Sequence, residues 1–299
     1  MGKNKPKLVV ILGPTSSGKS DLAVLIAKKF NGEVVSADSR QVYTGANIGS
    51  GKVTKQEMAG IPHFCLDVAD PKKRYSVSRF KKDAEKAIRD ILKREKVPIL
   101  CGGTGFYIQA IVDGLILSEV SPNKSLRKEL EKLPTNELFR RLKKLDPRRA
   151  REIDRHNPHR LVRAIEIASE IGKVPKIKTV CNYDVLQIGI NVPDEILKEK
   201  IFGRNKKMFQ KGLVAEVAKL HKKGVSWKRM KELGFEYHFV AEYLREKISK
   251  ENALCEMDKA TWQYAKRQKT WFRRDERTKW VAFEDVDKTY RLVEKFLQF

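Results

Sequence analysis

The segment GPTSSGKS at residues 13–20 limits the folds open to this chain. It matches the phosphate-loop pattern G-x-x-x-x-G-K-[ST] in full. The apolar run at residues 7–12 precedes it, and apolar residues at helical spacing follow Lys19. A strand, a glycine-rich turn and a helix in this order make an anion cradle, because backbone N–H groups and the positive end of the helix face one point. The segment therefore predicts a phosphate-binding turn within an α/β domain.

Three further apolar runs, at residues 33–37, 97–101 and 185–191, predict strands of the same sheet. Apolar residues at helical spacing between 80 and 91 predict a helix that connects two of them. This alternation is typical of a P-loop NTPase-like α/β fold, a parallel sheet flanked by helices. Ligands of such sheets bind beyond the carboxyl ends of the strands. The phosphate loop, Asp38 and the turn at residues 102–105 are all predicted to lie there.

The amino-acid composition of the chain changes near residue 118. Residues 118–182 are rich in Lys, Arg, Glu and Leu at helical spacing, with no convincing strand, and indicate an inserted helical domain. The insertion divides the sheet domain into residues 1–117 and 183–299. Within the second part, residues 197–220 and 249–274 are each predicted to form one long helix.

The formal charge of +25, with a pI near 9.9, favours a polyanionic partner, and nucleic acid before an anionic membrane. No apolar run approaches the ~18 residues that span a bilayer. The four cysteines include no C-x-x-C pair, so neither a disulfide framework nor a zinc site is indicated. We expect a cytoplasmic protein without membrane contact.

Asp38 is the only carboxylate that directly ends an apolar strand. A phosphate loop that transfers a γ-phosphate needs further parts, including a metal-holding Asp and a group that orients the nucleophile. Asp38 alone is available for that acid–base or metal chemistry, unless it is simply a turn or cap residue. The turn at residues 102–105 has the same two interpretations, ligand contact or tight turn.

Together these segments resemble the tRNA dimethylallyltransferase (tRNA isopentenyltransferase) family, short bacterial type. They occur in the family's order and cover nearly the whole chain, and we expect no C-terminal zinc-finger module. The matching segments are GPTSSGKS (13–20), ADSRQVY (37–43), GIPHF (60–64), GGTGFYIQA (102–110), HRLVRAIE (159–166), the helix around Arg204 to Val217, LGFEY (233–237) and YAKRQKTWFRR (264–274).

The resemblance implies transfer of a dimethylallyl group from dimethylallyl diphosphate to N6 of the adenosine 3′-adjacent to the anticodon in tRNA, with release of pyrophosphate. It implies Asp38 as general base, with Thr15 and Arg204 as catalytic contacts to pyrophosphate. Mg²⁺ is the implied cofactor, held through the Ser20 hydroxyl. The implied diphosphate-binding residues are Gly13, Pro14, Thr15, Ser16, Ser17, Gly18, Lys19 and Ser20.

The resemblance also implies contacts with the anticodon stem-loop of tRNA, and we expect a monomer. Gln41 corresponds to the position that reads a flipped base, for which an amide is suited. Residues 266–274 interleave cations with aromatic residues, although helical spacing predicts that Trp271 and Phe272 are buried. The implied tRNA-binding residues are Asp38, Ser39, Arg40, Gln41, Thr104, Arg127, His159, Arg160, Leu161, Val162 and Arg163.

Two segments depart from the family pattern. LGFEY at residues 233–237 replaces a more common isoleucine-glycine-tyrosine pattern followed by Lys-Glu, and His159 replaces a common Gln. Three rival functions stay open: prenylation of free adenine nucleotides, a small-metabolite kinase, and a non-catalytic RNA-binding NTPase. The basic insertion argues against the first, and the RNA-contact segments argue against the second. We expect prenyl diphosphate rather than ATP in the loop.

Overall fold

The computed structural model describes residues 5–298. The chain divides into two compact units, Met1–Gly114 with Cys181–Phe299, and Leu115–Val180. The sequence-based bounds for the second unit were residues 118–182. Residues 1–4 and 299, which the predicted domains 1–117 and 183–299 include, lie outside the described residues.

Within the described residues, eight strands occur. In chain order they are β1 (Lys7–Leu12), β2 (Gly32–Ser36), β3 (His63–Phe64), β4 (Val97–Gly102), β5 (Leu115–Ile116), β6 (Lys178–Thr179), β7 (Asp184–Asn191) and β8 (Thr278–Ala282). Six of them form one sheet in the order β3-β2-β4-β1-β7-β8, and every pairing in it is parallel. The predicted fold class, a parallel sheet flanked by helices, is confirmed.

The same residues form fourteen helices. In chain order they are α1 (Lys19–Lys29), α2 (Lys55–Met58), α3 (Val77–Lys93), α4 (Gly105–Val112), α5 (Lys124–Leu130), α6 (Thr135–Leu145), α7 (Pro147–Glu152), α8 (Pro158–Ile171), α9 (Asp194–Gln210), α10 (Leu213–Lys222), α11 (Trp227–Leu233), α12 (Phe235–Leu244), α13 (Lys250–Phe272) and α14 (Val286–Leu297). None of these helices is long and apolar enough to cross a bilayer.

The central strands are continuous apolar runs because both faces of the sheet are covered. Residues 8–12 of β1 are at most 1% exposed, and their side chains divide between two hydrophobic clusters, one on each face. Strands buried on both faces lose the alternating pattern of a half-exposed sheet. Consequently β1, β2, β4 and β7 were predictable, whereas the two-residue β3 and the half-exposed edge strand β8 were not.

The helix predicted for residues 197–220 is wrong, because the chain forms two helices there. α9 ends at Gln210, and α10 begins after Gly212, which has φ +95°. Glycine adopts this left-handed conformation without the Cβ penalty that other residues meet, so the helix direction changes there. The helix predicted for 249–274 is confirmed as α13, whose N-cap Ser249 accepts a hydrogen bond from the Asn252 N–H at 3.1 Å.

The second unit, Leu115–Val180, is helical and has its own core. Leu130, Leu138, Leu142 and Leu161 are each at most 1% exposed and belong to one hydrophobic cluster. α6 and α8 pack against each other around this cluster. The antiparallel pair β5 and β6 joins the two ends of the unit, with Leu115 opposite Thr179. The sequence did not indicate this two-residue pairing.

Gly102 gives a prediction about stability. A Cβ added to Gly102 at the end of β4 would lie 2.2 Å from the Ala37 carbonyl oxygen, whereas one added to Gly203 inside α9 would meet nothing within 4 Å. Gly102→Ala should therefore lower the free energy of unfolding by at least about 1–3 kcal/mol. Gly203→Ala should raise it by about 0.5–1 kcal/mol, because alanine favours a helix over glycine. Urea unfolding measures both, and equal stability of the two variants would contradict this packing.

Candidate active site

The phosphate loop begins where β1 ends and finishes where α1 begins. Ser16 (φ +62°) and Gly18 (φ +84°) are both left-handed, which turns the backbone sharply before Lys19. α1 has no side-chain cap at its N-terminus, so its first N–H groups remain available to an anion. Within residues 5–298, the buried hydroxyls of Ser16 and Ser17 have no hydrogen-bond partner. The loop is thus rich in donors that a bound anion could satisfy.

Two cationic side chains, those of Lys19 and Arg204, lie at this loop. Lys19 Nζ donates to the Pro14 carbonyl oxygen at 3.2 Å, and burial lowers the pKa of Lys19. Arg204, from α9, donates from Nη1 to the Thr15 hydroxyl at 2.7 Å, and burial lowers the pKa of its guanidinium. A bound anion would oppose both effects, since opposite charge nearby favours the protonated form. The structure therefore brings the predicted pair Thr15 and Arg204 together.

Asp38 follows β2 and faces the cavity that the phosphate loop lines. This cavity, of about 170 Å³, is also lined by Lys19 and Arg204. Asp38 Oδ1 accepts the backbone N–H groups of Arg40 at 2.8 Å and Gln41 at 3.4 Å. In the described chain Oδ2 has no hydrogen-bond partner. Asp38 is therefore a turn residue through one oxygen, and its other oxygen is available for chemistry.

Hydrogen bonds to Thr104, Gly51 and Ser36 hold the turn that carries Asp38. The Ser39 N–H donates to Thr104 Oγ1 at 2.9 Å, so Thr104 holds the turn in position. Gln41 Nε2 donates to the Gly51 carbonyl oxygen at 3.1 Å, and its Oε1 lies 3.3 Å from Ser36 Oγ. The amide of Gln41 is consequently fixed in direction at the cavity's edge.

A smaller cavity adjoins Asp38 and Gln41 and is lined by His63 and Cys101. His63 Nδ1 lies 2.9 Å from the Ile61 carbonyl oxygen, and burial lowers the pKa of the imidazole. Burial also raises the pKa of the Cys101 thiol to about 12. Both side chains are therefore neutral near pH 7.

Glu236 is a site residue that the sequence did not reveal. It is 4% exposed, and its carboxylate lies 2.8 Å from Arg40 Nη1 and 3.8 Å from Arg204 Nη2. The Arg40 guanidinium also lies over the rings of Phe235 and Tyr264, at 4.7 and 5.4 Å. The LGFEY segment, which departs from the family pattern, thus supplies the negative charge between two arginines.

The helix α13 forms another wall of the cavity. Thr261, Tyr264 and Gln268, spaced three and four residues apart, all line it. Thr261 is 2% exposed, and its hydroxyl has no partner among the described residues. On the same helix Phe272 is 3% exposed, as predicted, and the half-buried Trp271 packs where a Cβ on Gly105 would clash at 2.3 Å.

The exposed side of α13 and the turn after it carry basic residues. Those whose side chains face solvent are Lys266, Arg267, Arg273 and Arg274. They therefore remain candidates for contact with a polyanion, whereas the aromatic residues of the same segment pack inward.

In the second unit, two of the predicted tRNA-binding arginines have partners within the unit. Arg127 Nε donates to the buried Glu166 at 3.0 Å, and Arg163 Nη2 donates to the Val120 carbonyl oxygen at 2.6 Å. Leu161 and Val162, at 0% and 6% exposure, belong to the core. Side-chain contacts from this segment therefore depend mainly on the exposed pair at the start of α8, His159 and Arg160.

The oxygen donors at the loop fit a magnesium ion that is completed by a bound diphosphate. No group of three or more His, Cys, Asp or Glu residues able to hold a metal occurs within residues 5–298. Ser20, Asp21 and Asp38 nevertheless line one cavity, and burial raises the pKa of Asp21. Mg²⁺ prefers such oxygen ligands and usually takes the rest of its shell from water and phosphate.

Fold and site together define a phosphate-loop protein of the parallel α/β class. Models of two families match its sequence, IPP transferase over residues 41–275 and isopentenyl transferase over residues 6–75. A tRNA dimethylallyltransferase from Caldanaerobacter subterraneus subsp. tengcongensis is 41% identical over 298 residues, which cover 95% of this chain and 94% of that protein.

Solved structures agree. A tRNA isopentenylpyrophosphate transferase from Bacillus halodurans matches with a TM-score of 0.73 at 34% identity, over 98% of this chain and 96% of that one. A eukaryotic dimethylallyltransferase acting on tRNA matches with a TM-score of 0.80 at 27% identity, over 94% and 75%. The chain therefore belongs to the tRNA dimethylallyltransferase (IPP transferase) family of prenyltransferases.

The position of Glu236 between two arginines predicts a loss of stability in Glu236→Gln. The substitution keeps the shape but leaves two guanidinium groups facing each other without the compensating charge. Both arginines are partly exposed, so solvent screening reduces the loss to about 2 kcal/mol. Glu256→Gln, which removes one partner of an exposed pair with Lys259, is the matched control and should change stability by less than about 1 kcal/mol. Equal urea midpoints for the two variants would contradict the role of Glu236.

Proposed function

We propose that this chain transfers a dimethylallyl group from dimethylallyl diphosphate to N6 of the adenosine 3′-adjacent to the anticodon in tRNA, releasing pyrophosphate. The observation that carries the proposal is one cavity lined by the phosphate loop, Arg204 and the Asp38 carboxylate. This cavity thus places anion-stabilising groups beside a proton acceptor, which the reaction between the two substrates requires. The names of the relatives support tRNA as the acceptor.

The phosphate loop stabilises the leaving group. As the C–O bond to the diphosphate breaks, negative charge builds up on the leaving oxygen, and fixed N–H groups and cations aimed at it lower the barrier. Lys19 and Arg204 supply the cations, and Arg204 also orients the Thr15 hydroxyl. Ser20 and Asp21 would hold Mg²⁺, which when bound neutralises further diphosphate charge.

Asp38 acts as the general base. The exocyclic amine of adenine is a poor nucleophile, and its N–H becomes acidic as the N6–C bond forms. The Asp38 Oδ2 accepts that proton, while Oδ1 is held by two backbone N–H groups that fix the direction of the carboxylate. The N6–C bond forms, the C–O bond breaks, pyrophosphate leaves, and the proton passes to Asp38.

Gln41 reads the adenine. An adenine within a stack is out of reach, so the target base has to flip into the cavity beside Asp38. The Gln41 amide is anchored by Gly51 and Ser36. It retains one N–H and one oxygen lone pair for the base edge, since an amide carries two donors and two acceptor sites.

The basic surface receives the RNA backbone. The charge of +25 and the exposed cations Arg160, Lys266 and Arg267 suit phosphate contacts, which make affinity fall with salt. The exposed His159 lies beside Arg160 and can donate a hydrogen bond. We further propose that the enzyme acts as a monomer in the cytoplasm, where tRNA is modified and where its four free cysteines stay reduced.

The direct test is incubation with dimethylallyl diphosphate, Mg²⁺ and unmodified tRNA that carries adenosine beside the anticodon. Mass spectrometry of the digested nucleosides should show one dimethylallyl group on that adenosine. Free adenosine monophosphate, offered in place of tRNA, should stay unmodified. A protein that prenylates the nucleotide and leaves tRNA unmodified would contradict the proposal.

Asp38→Asn removes the proposed general base and keeps the shape of the side chain. It should lower the rate of prenyl transfer by about 10²–10⁴-fold, because the amide cannot accept the proton. Pyrophosphate binding should persist, since the phosphate loop is unchanged. Asp70→Asn is the matched control: Asp70 also caps a turn through a backbone N–H, that of Lys72 at 2.9 Å, but lies outside this cavity. A near-normal rate for Asp38→Asn would exclude Asp38 as the base.

A further inference from the structure

We propose that Gln268 is a positioning residue that ties the phosphate loop to the turn at residues 102–105, and so sets the diphosphate cradle relative to Asp38. The inference rests on the proposed function and deepens it. Gln268 lies on α13, far in sequence from both segments that it joins. Main-chain groups occupy both ends of its amide, so we infer that it acts through the groups that it holds.

Both ends of the Gln268 amide are used. Its Oε1 accepts the Thr15 N–H at 2.9 Å, and its Nε2 donates to the Gly103 carbonyl oxygen at 2.7 Å. The side chain is 6% exposed, so it is not placed to contact tRNA. A Cβ on Gly103 would lie 2.5 Å from Nε2, so only glycine leaves room for the amide.

The connection continues from Gly103 to Asp38. The next residue, Thr104, donates its N–H to the Ala37 carbonyl oxygen at 3.2 Å and accepts the Ser39 N–H at 2.9 Å. Asp38 lies between these two anchored residues. An unbroken series of hydrogen bonds therefore runs from the phosphate loop, through Gln268 and Thr104, to the turn that carries the proposed base.

Glutamine satisfies both contacts at this position, and neither glutamate nor methionine does. Glutamate can accept from Thr15 but, when ionised, cannot donate to Gly103, and it would add negative charge beside the diphosphate. Methionine has a similar length and makes neither contact. Arg204 holds the Thr15 hydroxyl, and Gln268 holds the Thr15 N–H, so both the side chain and the peptide of Thr15 are fixed. Small misplacements of reacting groups can cost about 10²-fold in rate, so this constraint bears directly on catalysis.

The test compares Gln268→Met, Gln268→Glu and the control Gln263→Met, which changes an exposed glutamine of the same helix. Calorimetry with inorganic pyrophosphate and Mg²⁺ measures the affinity of the phosphate loop for a diphosphate, without any prenyl transfer. The Kd should rise about threefold to tenfold in Gln268→Met, and more in Gln268→Glu. It should not change in Gln263→Met. A wild-type Kd in the folded Gln268→Met variant overturns the proposal, whether or not the chain proves to be a prenyltransferase.

Kinetics separate positioning from a merely structural role. Gln268→Met should lower kcat at least tenfold and leave the KM for tRNA unchanged. Thr104→Val cuts the connection at the next residue, so it should lower kcat without changing the Kd for pyrophosphate. The kcat losses of the double variant should be less than multiplicative. If Gln268→Met does not fold, Gln268→Asn replaces it, because the shorter amide cannot reach both partners: a higher Kd for pyrophosphate supports the connection and a wild-type Kd overturns it.

Discussion

The concentration of positive charge at the phosphate loop is the constraint around which the site is built. Three positive groups lie close together at the phosphate loop. They are the N-terminus of α1, which has no side-chain cap, the half-buried Lys19 and the Arg204 guanidinium. Like charges at such close range repel each other unless a negative charge offsets them. Glu236 provides part of that compensation for Arg40 and Arg204, and a diphosphate would provide the rest.

The glycines of the 102–105 turn are explained by the same arrangement. Gly102 lets β4 approach the end of β2, Gly103 admits the Gln268 amide, and Gly105 admits the Trp271 ring. Ligand contact and a simple tight turn were the two interpretations open from the sequence. Close packing of the turn against β2 and α13 is a third, and it accounts for all three positions. Through this turn, the position of Asp38 depends on the position of α13.

The sequence predicted the parts of the molecule that are local in the chain. Apolar runs predicted the doubly covered strands, and the phosphate-loop pattern predicted the turn and helix start at residues 13–20. The structure also places Thr15, Asp38 and Arg204, which the resemblance singled out, along one cavity. It failed where a contact joins distant residues of ordinary appearance. Glu236 lies 196 positions from the arginine that it pairs with, and Gln268 lies 253 positions from Thr15. Both residues lie in segments that match the family, but the local pattern does not show which distant group either side chain contacts.

In the proposed reaction the diphosphate leaves intact and is not divided by phosphoryl transfer. ³¹P NMR of a reaction with dimethylallyl diphosphate and tRNA tests it most directly. We expect one pyrophosphate to be released for each prenylated adenosine, with no orthophosphate formed and no requirement for ATP. Release of orthophosphate, or turnover that depends on ATP and yields ADP, would contradict it.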